Sequence, residues 1–244
     1  MADLLRRFAT CGESWVWLMR HVRDEGGPAE DDRGPVIEAP AVLFEIDRIG
    51  WDDPVLAAYG DAGKTALYAS KFTEVTVVPP FKYSYGGRLR RLLGTDQLSW
   101  VSGLLRARPY SKSAWISLTV PGERPDAVPC LTSLAFRLRD GRLVMTAAFR
   151  SQNVLTSYLN YVPLRSIQSE VADDLGVGCG STRVFIDVPH IYVADAATVE
   201  EILRRSEHDG LGEGEDSGEG SPGPAGRSGR DRGRLRPDRG RGAP

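Results

Sequence analysis

The chain has 244 residues, of which 41% are hydrophobic, and it carries a formal net charge of −2 at pH 7. This length and composition allow one sizeable core of about 200 residues followed by a tail, so one folded domain is the economical organisation. The near-neutral charge provides no basic field that would argue for a nucleic-acid partner, and neither a signal-peptide pattern nor an apolar run of the ~20 residues that a membrane helix needs is present.

The N-terminal part of the chain predicts one helix, one loop and one strand. Ser14 as N-cap and apolar side chains at helical spacing predict a helix over residues 14–23. Residues 24–40 are rich in Gly, Pro and acidic residues, which predicts a loop. Residues 41–46 predict a strand.

Four further features precede the centre of the chain. Residues 73–78 alternate as a strand does. In residues 81–91, the glycine pair 86–87 allows close backbone approach, with a solvated turn as the alternative. Residues 95–108 predict a capped amphipathic helix, and residues 114–120 predict a strong strand.

A β-hairpin is predicted at the centre of the chain. Residues 134–138 alternate between apolar and polar, Asp140-Gly141 is a tight-turn signal, and residues 143–149 form a second apolar run. Cys130 then stands at the start of one strand.

Arg150 and Ser151 stand at the end of the second hairpin strand. A guanidinium fork and a hydroxyl can jointly hold a phosphate. We therefore expect the Cys130 thiol to face an anion site.

The C-terminal part predicts a helix and a strand. Residues 161–175 have helical periodicity, with Pro163 in the first turn and Gly176 just past the end. Residues 182–188 predict a strand that carries residues 190–192 to its far end.

A last helix and a tail complete the prediction. Thr198 and Glu201 form a capping-box pattern for a helix that ends near Arg205. Residues 1–205 are therefore predicted to form the folded domain. Residues 206–244 are predicted to be disordered, because their mixture of Gly, Pro, Ser, acids and Arg cannot bury a core. We interpret this tail as a solvated appendage, although Gly-Arg-rich ends can hold RNA weakly.

The three cysteines, Cys11, Cys130 and Cys179, are widely spaced. Their spacing gives neither a disulfide framework nor a Cys-x-x-Cys metal pattern. We therefore expect a cytoplasmic protein in a reducing compartment, with no bound metal and no membrane attachment.

Several polar blocks of the chain resemble blocks of the thymidylate synthase family and follow one another in the same order. The family carries a Pro-Cys nucleophile, an Arg-Ser phosphate element, an Asn that reads the pyrimidine edge and a His-x-Tyr near the sugar. The matching residues are Pro129-Cys130, Arg150-Ser151, Asn160, and His190 with Tyr192. Upstream blocks at Tyr85-Gly86, Asp96-Gln97-Leu98 and Pro109 to Lys112 extend the likeness to about residues 82–192.

The resemblance implies an α+β fold in which a large mixed or antiparallel sheet with flanking helices packs back to back in a homodimer. It implies a pyrimidine nucleoside monophosphate as substrate and 5,10-methylenetetrahydrofolate as one-carbon donor. Cys130 would add to C6 of the ring and so activate C5 for methylation or hydroxymethylation.

Roles for individual residues follow from the same resemblance. Arg33 lies in a segment similar to the mobile loop that closes over the nucleotide phosphate, and Arg90 would add positive charge to the site. Lys112 would reach the partner subunit's phosphate, where the family has two adjacent arginines. Arg150 and Ser151 would hold the phosphate, and the Arg150 charge would also favour the Cys130 thiolate.

Asn160 would read uracil by accepting from N3–H and donating to O4. His190 and Tyr192 would hold the ribose hydroxyls. Asn153 takes the place of a catalytic Asp of the family, and Leu131 replaces the His that follows the Cys. Both replacements remove polar groups that help steer protons and the pterin ring.

The donor half of the family pattern is not matched. Glu45 and Glu74 are the only glutamates between residues 41 and 80, and neither belongs to the family's Glu-Leu-Leu-Trp-like helix, so we expect both on strand surfaces. The C-terminal segment that closes on the folate is also expected to be missing. Two alternatives to the folate-dependent enzyme therefore stay open: a folate-independent reaction from the same Cys130 adduct, and a nucleotide-binding paralogue without catalysis.

Overall fold

The computed structural model describes residues 5–210, so most of the predicted tail, from residue 211 onward, lies outside the described residues. Within them the strands are β1 (Arg6–Thr10), β2 (Gly27–Asp31), β3 (Gly34–Glu38), β4 (Val42–Arg48), β5 (Trp115–Ser117), β6 (Leu131–Arg139), β7 (Arg142–Phe149), β8 (Gln152–Asn153), β9 (Gly178–Ile186) and β10 (Pro189–Tyr192). The helices are α1 (Cys11–Glu25), α2 (Pro54–Tyr59), α3 (Ala62–Thr73), α4 (Tyr85–Arg91), α5 (Gln97–Ala107), α6 (Tyr158–Leu175) and α7 (Ala196–His208).

A six-stranded mixed sheet forms the centre of the domain, in the order β1-β4-β9-β7-β6-β5. The β1–β4 and β7–β9 pairs are parallel, and the remaining pairs are antiparallel. Helices α1 and α6 contribute fully buried side chains, including Trp15 and Tyr161, to the core that this sheet shares. The predicted α+β class with a mixed sheet and flanking helices is therefore confirmed.

A second, four-stranded mixed sheet, β2-β3-β10-β8, corrects two predictions. The predicted loop over residues 24–40 is a hairpin, because β3 pairs with β10 and a largely exposed strand needs no alternating apolar pattern. His190 and Tyr192 do not extend β9. They lie on β10, which begins after the chain has crossed to the second sheet, where Gln152 N–H donates to the Val188 carbonyl at 3.0 Å.

The central hairpin forms as predicted, from β6 and β7. Asp140 and Gly141 both have positive φ, 48° and 72°, which is the conformation of a type I′ turn. The pairing shifts register between Leu131 and Ser133, so that Thr132 is an extra residue on β6. The Thr132 hydroxyl donates to the Ala148 carbonyl at 3.0 Å and stabilises this bulge.

Three helix starts differ from the predictions. Helix α1 begins at Cys11 with Thr10 as N-cap, because Glu13 completes a capping box with Thr10. Helix α6 begins at Tyr158, which places Pro163 inside the helix rather than in its first turn. Helix α7 begins at Ala196 and ends at His208, so the Thr198 pattern lies inside it.

The predicted strand over residues 73–78 does not form, because α3 continues to Thr73 and no partner strand lies beside the next residues. Helix α4 packs on this segment instead. An added Cβ at Gly86 would lie 2.4 Å from the Glu74 carbonyl oxygen, and one at Gly87 would lie 2.5 Å from that of Val75. The close backbone approach predicted for the two glycines is therefore present.

Glu45 lies on β4 as expected but is not a surface residue, since only 2% of it is exposed. Its register partners are Arg7 on β1 and Arg183 on β9, whose guanidinium groups bind its two oxygens at 2.7 and 2.5 Å. Glu74 follows α3 and is exposed rather than part of a strand. Strand β5 is also shorter than predicted, with three residues.

Two properties of residues 5–210 bear on function. No helix in residues 5–210 combines the length and hydrophobicity needed to cross a membrane. In the same range, no group of three or more His, Cys, Asp and Glu side chains could hold a metal ion.

Candidate functional site around Cys130

Cys130 immediately precedes β6, and Arg150 and Ser151 immediately follow β7, as the hairpin predicts. The Arg150 backbone N–H donates to the Cys130 carbonyl at 2.9 Å, which ties the two strand ends together. The Ser151 hydroxyl donates to Cys130 Sγ at 3.8 Å, and the thiol is half-buried. The hairpin therefore brings a thiol and a hydroxyl into direct contact.

Two tyrosines fix the backbone on either side of the thiol. The Cys130 N–H donates to the Tyr83 hydroxyl at 3.3 Å, and the Leu131 N–H donates to the Tyr85 hydroxyl at 3.2 Å. Burial raises the pKa of both phenols, so both remain neutral hydrogen-bonding groups.

Arg88 of α4 holds the chain segment that leads to Cys130. Its guanidinium donates to the carbonyls of Leu118 and Ala127 at 2.6 and 2.9 Å, and it forms a bidentate ion pair with Glu123. It also lies over the Tyr83 ring, 5.4 Å from the centroid. A single buried arginine thus connects this segment to the helix that carries Tyr85.

The Arg150 guanidinium points towards the backbone before Cys130. Nε donates to the Pro129 carbonyl at 3.1 Å, and Nη2 donates to the Val128 carbonyl at 3.0 Å. Nη1 makes no hydrogen bond within residues 5–210. Arg150 therefore positions the loop that carries the thiol and keeps one free edge towards solvent.

Lys71, near the end of α3, is a buried cation that the sequence analysis did not select. Its ammonium lies 4.7, 4.4 and 4.4 Å from the ring centroids of Phe81, Tyr83 and Tyr85. Burial lowers its pKa to about 8; the Cys130 thiol acts in the opposite direction, and the Arg33 charge lowers the pKa further. The alternation of aromatic residues at 81, 83 and 85 was the available sequence signal, because it places three rings on one side of an extended segment.

The second sheet brings His190, Tyr192 and the β2–β3 hairpin to the same site. His190 is 5% exposed, and burial lowers its pKa, so its ring is neutral at pH 7. Burial also raises the pKa of Tyr192, and the charges of Asp31 and the Cys130 thiol act in the same direction. The charge of Arg33, which is exposed in the hairpin turn, lowers the pKa of both rings, and the role of these residues in substrate binding stays a prediction.

The two predicted asparagines differ in their freedom to bind a ligand. Asn160 is 8% exposed in the first turn of α6, and its amide makes no hydrogen bond within residues 5–210. Asn153 uses its oxygen to accept from Leu155 N–H and its nitrogen to donate to Asp195. Its amide is therefore engaged in capping a turn, which does not support the catalytic role predicted for it.

Arg90 and Lys112, which were predicted to bind the substrate, make their hydrogen bonds and ion pairs with residues other than Cys130. Arg90 forms an ion pair with Glu170 of α6 and donates to the Phe72 carbonyl, so it ties helices together instead of facing a substrate. Lys112 is exposed, and its carbonyl accepts a hydrogen bond from Arg137 at 2.6 Å. Its predicted contact across a dimer stays a prediction.

A cavity of about 380 Å³ lies between α2, α3 and the start of α6. The Tyr158 hydroxyl, at its wall, accepts a hydrogen bond from Asp61 N–H at 2.6 Å. None of the predicted site residues lines this cavity. Its lining side chains include Trp51, Leu56, Ala57, Thr65, Ala69 and Tyr158. A largely apolar wall with two aromatic side chains suits a flat aromatic ligand.

Together, the fold and the site define an α+β domain in which a half-buried cysteine contacts a serine hydroxyl at the joined ends of a hairpin, while Tyr83 and Tyr85 accept hydrogen bonds from the backbone N–H groups of Cys130 and Leu131. The chain belongs to the thymidylate synthase family, whose model matches residues 51–211. This family is one of enzymes that act on a pyrimidine nucleotide.

Relatives of this chain in methanogenic archaea are named "Putative thymidylate synthase". The protein of Methanosarcina barkeri is 28% identical over 204 residues, which are 81% of this chain and 94% of that protein. The protein of Methanopyrus kandleri is 27% identical over 201 residues, 79% of this chain and 94% of its own length. The protein of Methanothermobacter thermautotrophicus is 34% identical over 127 residues, which are 51% of this chain and 57% of that protein.

Proposed function

We propose that this chain transfers a one-carbon group to C5 of a pyrimidine nucleoside monophosphate, as a methyltransferase or hydroxymethyltransferase, through addition of Cys130 to C6. The contact of Cys130 Sγ with the Ser151 hydroxyl at 3.8 Å, at the joined ends of β6 and β7, is the observation that carries the proposal. Membership of the thymidylate synthase family supports it. In this proposal the protein works in the cytoplasm.

The chemistry begins with the thiolate. Its electron pair forms a bond to C6, and the electrons of the C5–C6 double bond move to give an enolate with its charge on O4. C5 is then nucleophilic and attacks an electrophilic carbon. With a methylene donor, the bond from the transferred carbon to the donor nitrogen would break as C5 loses its proton, and that carbon would then take water to give a hydroxymethyl product or a hydride from the reduced pterin to give a methyl product. Release of the thiolate restores the C5–C6 double bond and the free enzyme.

The remaining site residues orient the nucleotide. In this proposal the Asn160 amide, which makes no hydrogen bond within residues 5–210, faces the edge of the base, and neutral His190 with Tyr192 offers hydrogen-bonding groups to the ribose. Ser151, the free edge of Arg150 and the exposed Arg33 supply donors for the phosphate. Uracil is the preferred base, because the Asn160 amide can accept from N3–H and donate to O4.

The cavity beside α2 and α3 fits the aromatic part of 5,10-methylenetetrahydrofolate in size and lining. Trp51 and Tyr158 would hold the ring, and a bound folate would supply the one-carbon unit. Glu45 does not take the place of the glutamate in the family's Glu-Leu-Leu-Trp-like helix, because it lies on β4 and both of its oxygens are bound by arginines. That observation keeps the folate-independent reaction from the same adduct as a second candidate.

A homodimer formed through the six-stranded sheet is part of the proposal. Leu43 and Phe185 are register partners on adjacent strands and are 44% and 37% exposed, and Trp115 at the sheet edge is 52% exposed. A second copy packed on this face would bury these side chains. Sedimentation of Leu43→Glu should then give a monomer, whereas a concentration-independent monomer of the unchanged protein would contradict the arrangement.

Exchange of the C5 proton tests the function without any carbon donor. The exchange needs only thiolate addition, protonation of the enolate and reversal. We expect tritium release from labelled uridine monophosphates with the unchanged protein and with the Cys179→Ser control, and a loss of about four orders of magnitude in Cys130→Ser.

Retained binding of the nucleotide by Cys130→Ser would show that the site is otherwise intact. If the unchanged protein binds a pyrimidine monophosphate but exchanges no C5 proton from uridine or cytidine nucleotides, the enzyme proposal fails and a binding paralogue is the better hypothesis.

A further inference from the structure

Lys71 is unusually placed for a lysine, because its side chain is only 9% exposed and has no carboxylate or other hydrogen-bond acceptor within residues 5–210. Its charge is balanced only by the faces of three aromatic rings, at 4.4 to 4.7 Å from their centroids. Burying an ammonium without an ionic partner costs free energy. Lys71 also lies in the last turn of α3, where a positive charge interacts favourably with the helix dipole. An exposed rotamer would keep that interaction without the free-energy cost of burying the ammonium.

The rings around Lys71 are the same groups that hold the backbone of the nucleophile. Tyr83 contacts the ammonium with its ring face and accepts from Cys130 N–H with its hydroxyl. Tyr85 contacts the ammonium and accepts from Leu131 N–H. The cation and the thiol are therefore positioned by one shared pair of side chains.

The other cations near the thiol are less well suited to stabilise it. Two of the Arg150 nitrogens donate to the Pro129 and Val128 carbonyls, so its guanidinium is oriented by the loop. Arg33 is exposed in a hairpin turn, where water screens its charge. Arg88 also lies over the Tyr83 ring, but its charge is paired with Glu123. Among the described residues, Lys71 is therefore the buried cation of this site that has no ionic partner.

We propose that Lys71 is the electrostatic partner of Cys130: a positioning residue whose ammonium stabilises the thiolate before it adds to the pyrimidine and after it is released. The proposal extends the proposed function, because it assigns the source of the positive charge at the nucleophile. It predicts a property of the free thiol, which is measured without nucleotide or donor.

The groups that face this pair set its pH range. Tyr83, Tyr85 and Tyr192 remain neutral because burial raises the pKa of each, and Arg33 is the like charge that opposes Lys71. The pKa of Lys71, lowered by burial to about 8, leaves the ammonium charged at neutral pH and removes its charge above that value. The stabilisation of the thiolate should therefore weaken as the pH rises through 8.

The test is the rate of iodoacetamide alkylation of Cys130 against pH, followed by mass spectrometry of the peptide that carries it. Cys179 serves as an internal reference in each sample, and Cys11 is fully buried. Lys71→Met keeps an unbranched side chain among the aromatic rings, so the packing is retained. We expect the midpoint of its profile to rise by about one pH unit, which corresponds to a tenfold smaller thiolate fraction at neutral pH.

Two variants control this measurement. Lys71→Arg keeps the charge at all pH values, so its midpoint should be no higher than that of the unchanged protein. Lys64→Met removes an exposed lysine from the same helix and should also leave the midpoint unchanged. Equal midpoints for Lys71→Met and the unchanged protein, with circular dichroism showing both folded, would overturn the proposal.

The outcome is separable from that of the proposed function. A displaced midpoint in Lys71→Met, together with no C5 exchange by the unchanged protein, would support the Lys71–Cys130 pair and reject the enzyme. Normal C5 exchange with no displacement would do the reverse. If Lys71→Met fails to fold, Lys71→Gln, which is also uncharged, takes its place: a midpoint raised by about one pH unit would support the assignment, and an unchanged midpoint would overturn it.

Discussion

The surroundings of Cys130 and the α2–α3 cavity are organised in different ways. Around Cys130, several side chains hydrogen-bond to backbone groups of residues 118–131. Arg88 and Arg150 donate to carbonyls, and the Tyr83 and Tyr85 hydroxyls accept from N–H groups. The cavity wall instead consists largely of apolar side chains, and the Tyr158 hydroxyl in it accepts a hydrogen bond from Asp61 N–H. The first region fixes atoms for chemistry, and the second provides shape. A ligand of the second region can therefore change without disturbing the first.

The largest expected effect comes from removing the side chain that holds the segment before Cys130, since that change acts on only one of the two regions. Arg88→Ala removes a bidentate ion pair and two carbonyl contacts at a site where both partners are largely buried. We expect a loss of about 3 kcal/mol in the free energy of unfolding, because Glu123 is left buried and unpaired.

Arg90→Ala on the same helix is the matched control for Arg88→Ala. Its ion pair with Glu170 is more exposed, so the expected loss is about 1 kcal/mol or less, with nucleotide affinity unchanged. Chemical denaturation of both variants gives the two values. Equal losses would contradict the distinction between an arginine that organises the site and one that joins helices.

Filling the cavity should separate the two regions functionally. Ala69→Trp places a large side chain where the α3 wall is half-exposed. One-carbon transfer should fall about 100-fold, the scale for a misplaced reactant, while C5 exchange at Cys130 stays within about twofold.

Ala107→Trp, at an exposed position on another helix, is the control for the added ring. Both activities should survive in it. Parallel loss of transfer and exchange in Ala69→Trp would show that the two regions are not independent.

Base preference tests a narrower difference within the Cys130 region. Asn160 has an unbonded amide, whereas the Asn153 amide is engaged with Leu155 and Asp195. Calorimetry should show uridine monophosphate binding about tenfold more tightly than cytidine monophosphate, and Asn160→Ala should remove that preference. Asn153→Ala should keep the preference and lose stability. A preference that persists in Asn160→Ala would remove Asn160 as the residue that reads the base.

The smallest expected effect concerns Glu45, which belongs to neither region. Burial raises the pKa of Glu45, but hydrogen bonding to Arg183 and the charges of Arg183 and Arg7 lower it more, so the net direction is downward. Its stabilisation is therefore present above the unfolded pKa of about 4.3 and is lost as the pH falls through the lower folded value.

Glu45→Gln should accordingly flatten the fall of unfolding free energy between about pH 5 and pH 3, by about 1 kcal/mol. Glu30→Gln, which removes an exposed carboxylate from β2, should leave that slope unchanged. A Glu45→Gln slope identical to that of the unchanged protein would mean that the ion pairs contribute no net stability.

Local signals predicted the parts of the fold that depend on local chemistry. Asp140-Gly141 predicts its hairpin because both residues adopt positive φ. Asp96 caps α5 through the N–H groups of Leu98 and Ser99, and Gly176 ends α6 with φ 68°. These elements were predicted because each needs only residues that are adjacent in the chain.

The predictions that failed depend on partners distant in sequence. The β2–β3 hairpin is stabilised by β10, more than a hundred residues away, so its Gly-rich composition suggested a loop. Lys71 has no motif, because its surroundings arise only when α3 packs beside residues 81–85. The substrate-binding role of Arg90 stays a prediction, and its ion pair with Glu170 joins two helices that are far apart in the chain. The thiol, hydroxyl and arginine of the site were recognisable because one hairpin carries all three.

The bulge at Thr132 shifts the register of β6 immediately after Cys130 and so affects which way the Cys130 thiol points. Side chains alternate between the two faces of a strand, so one extra residue reverses the parity of every position before it. Deleting Thr132 would keep Cys130, Arg150 and Ser151 in the sequence and turn the thiol to the opposite face of the sheet. The direction of the thiol is thus specified by a residue count rather than by residue identity. When sequences of this family are compared, the number of residues between the cysteine and the hairpin turn therefore indicates the direction of the thiol, which the identities of the site residues alone do not.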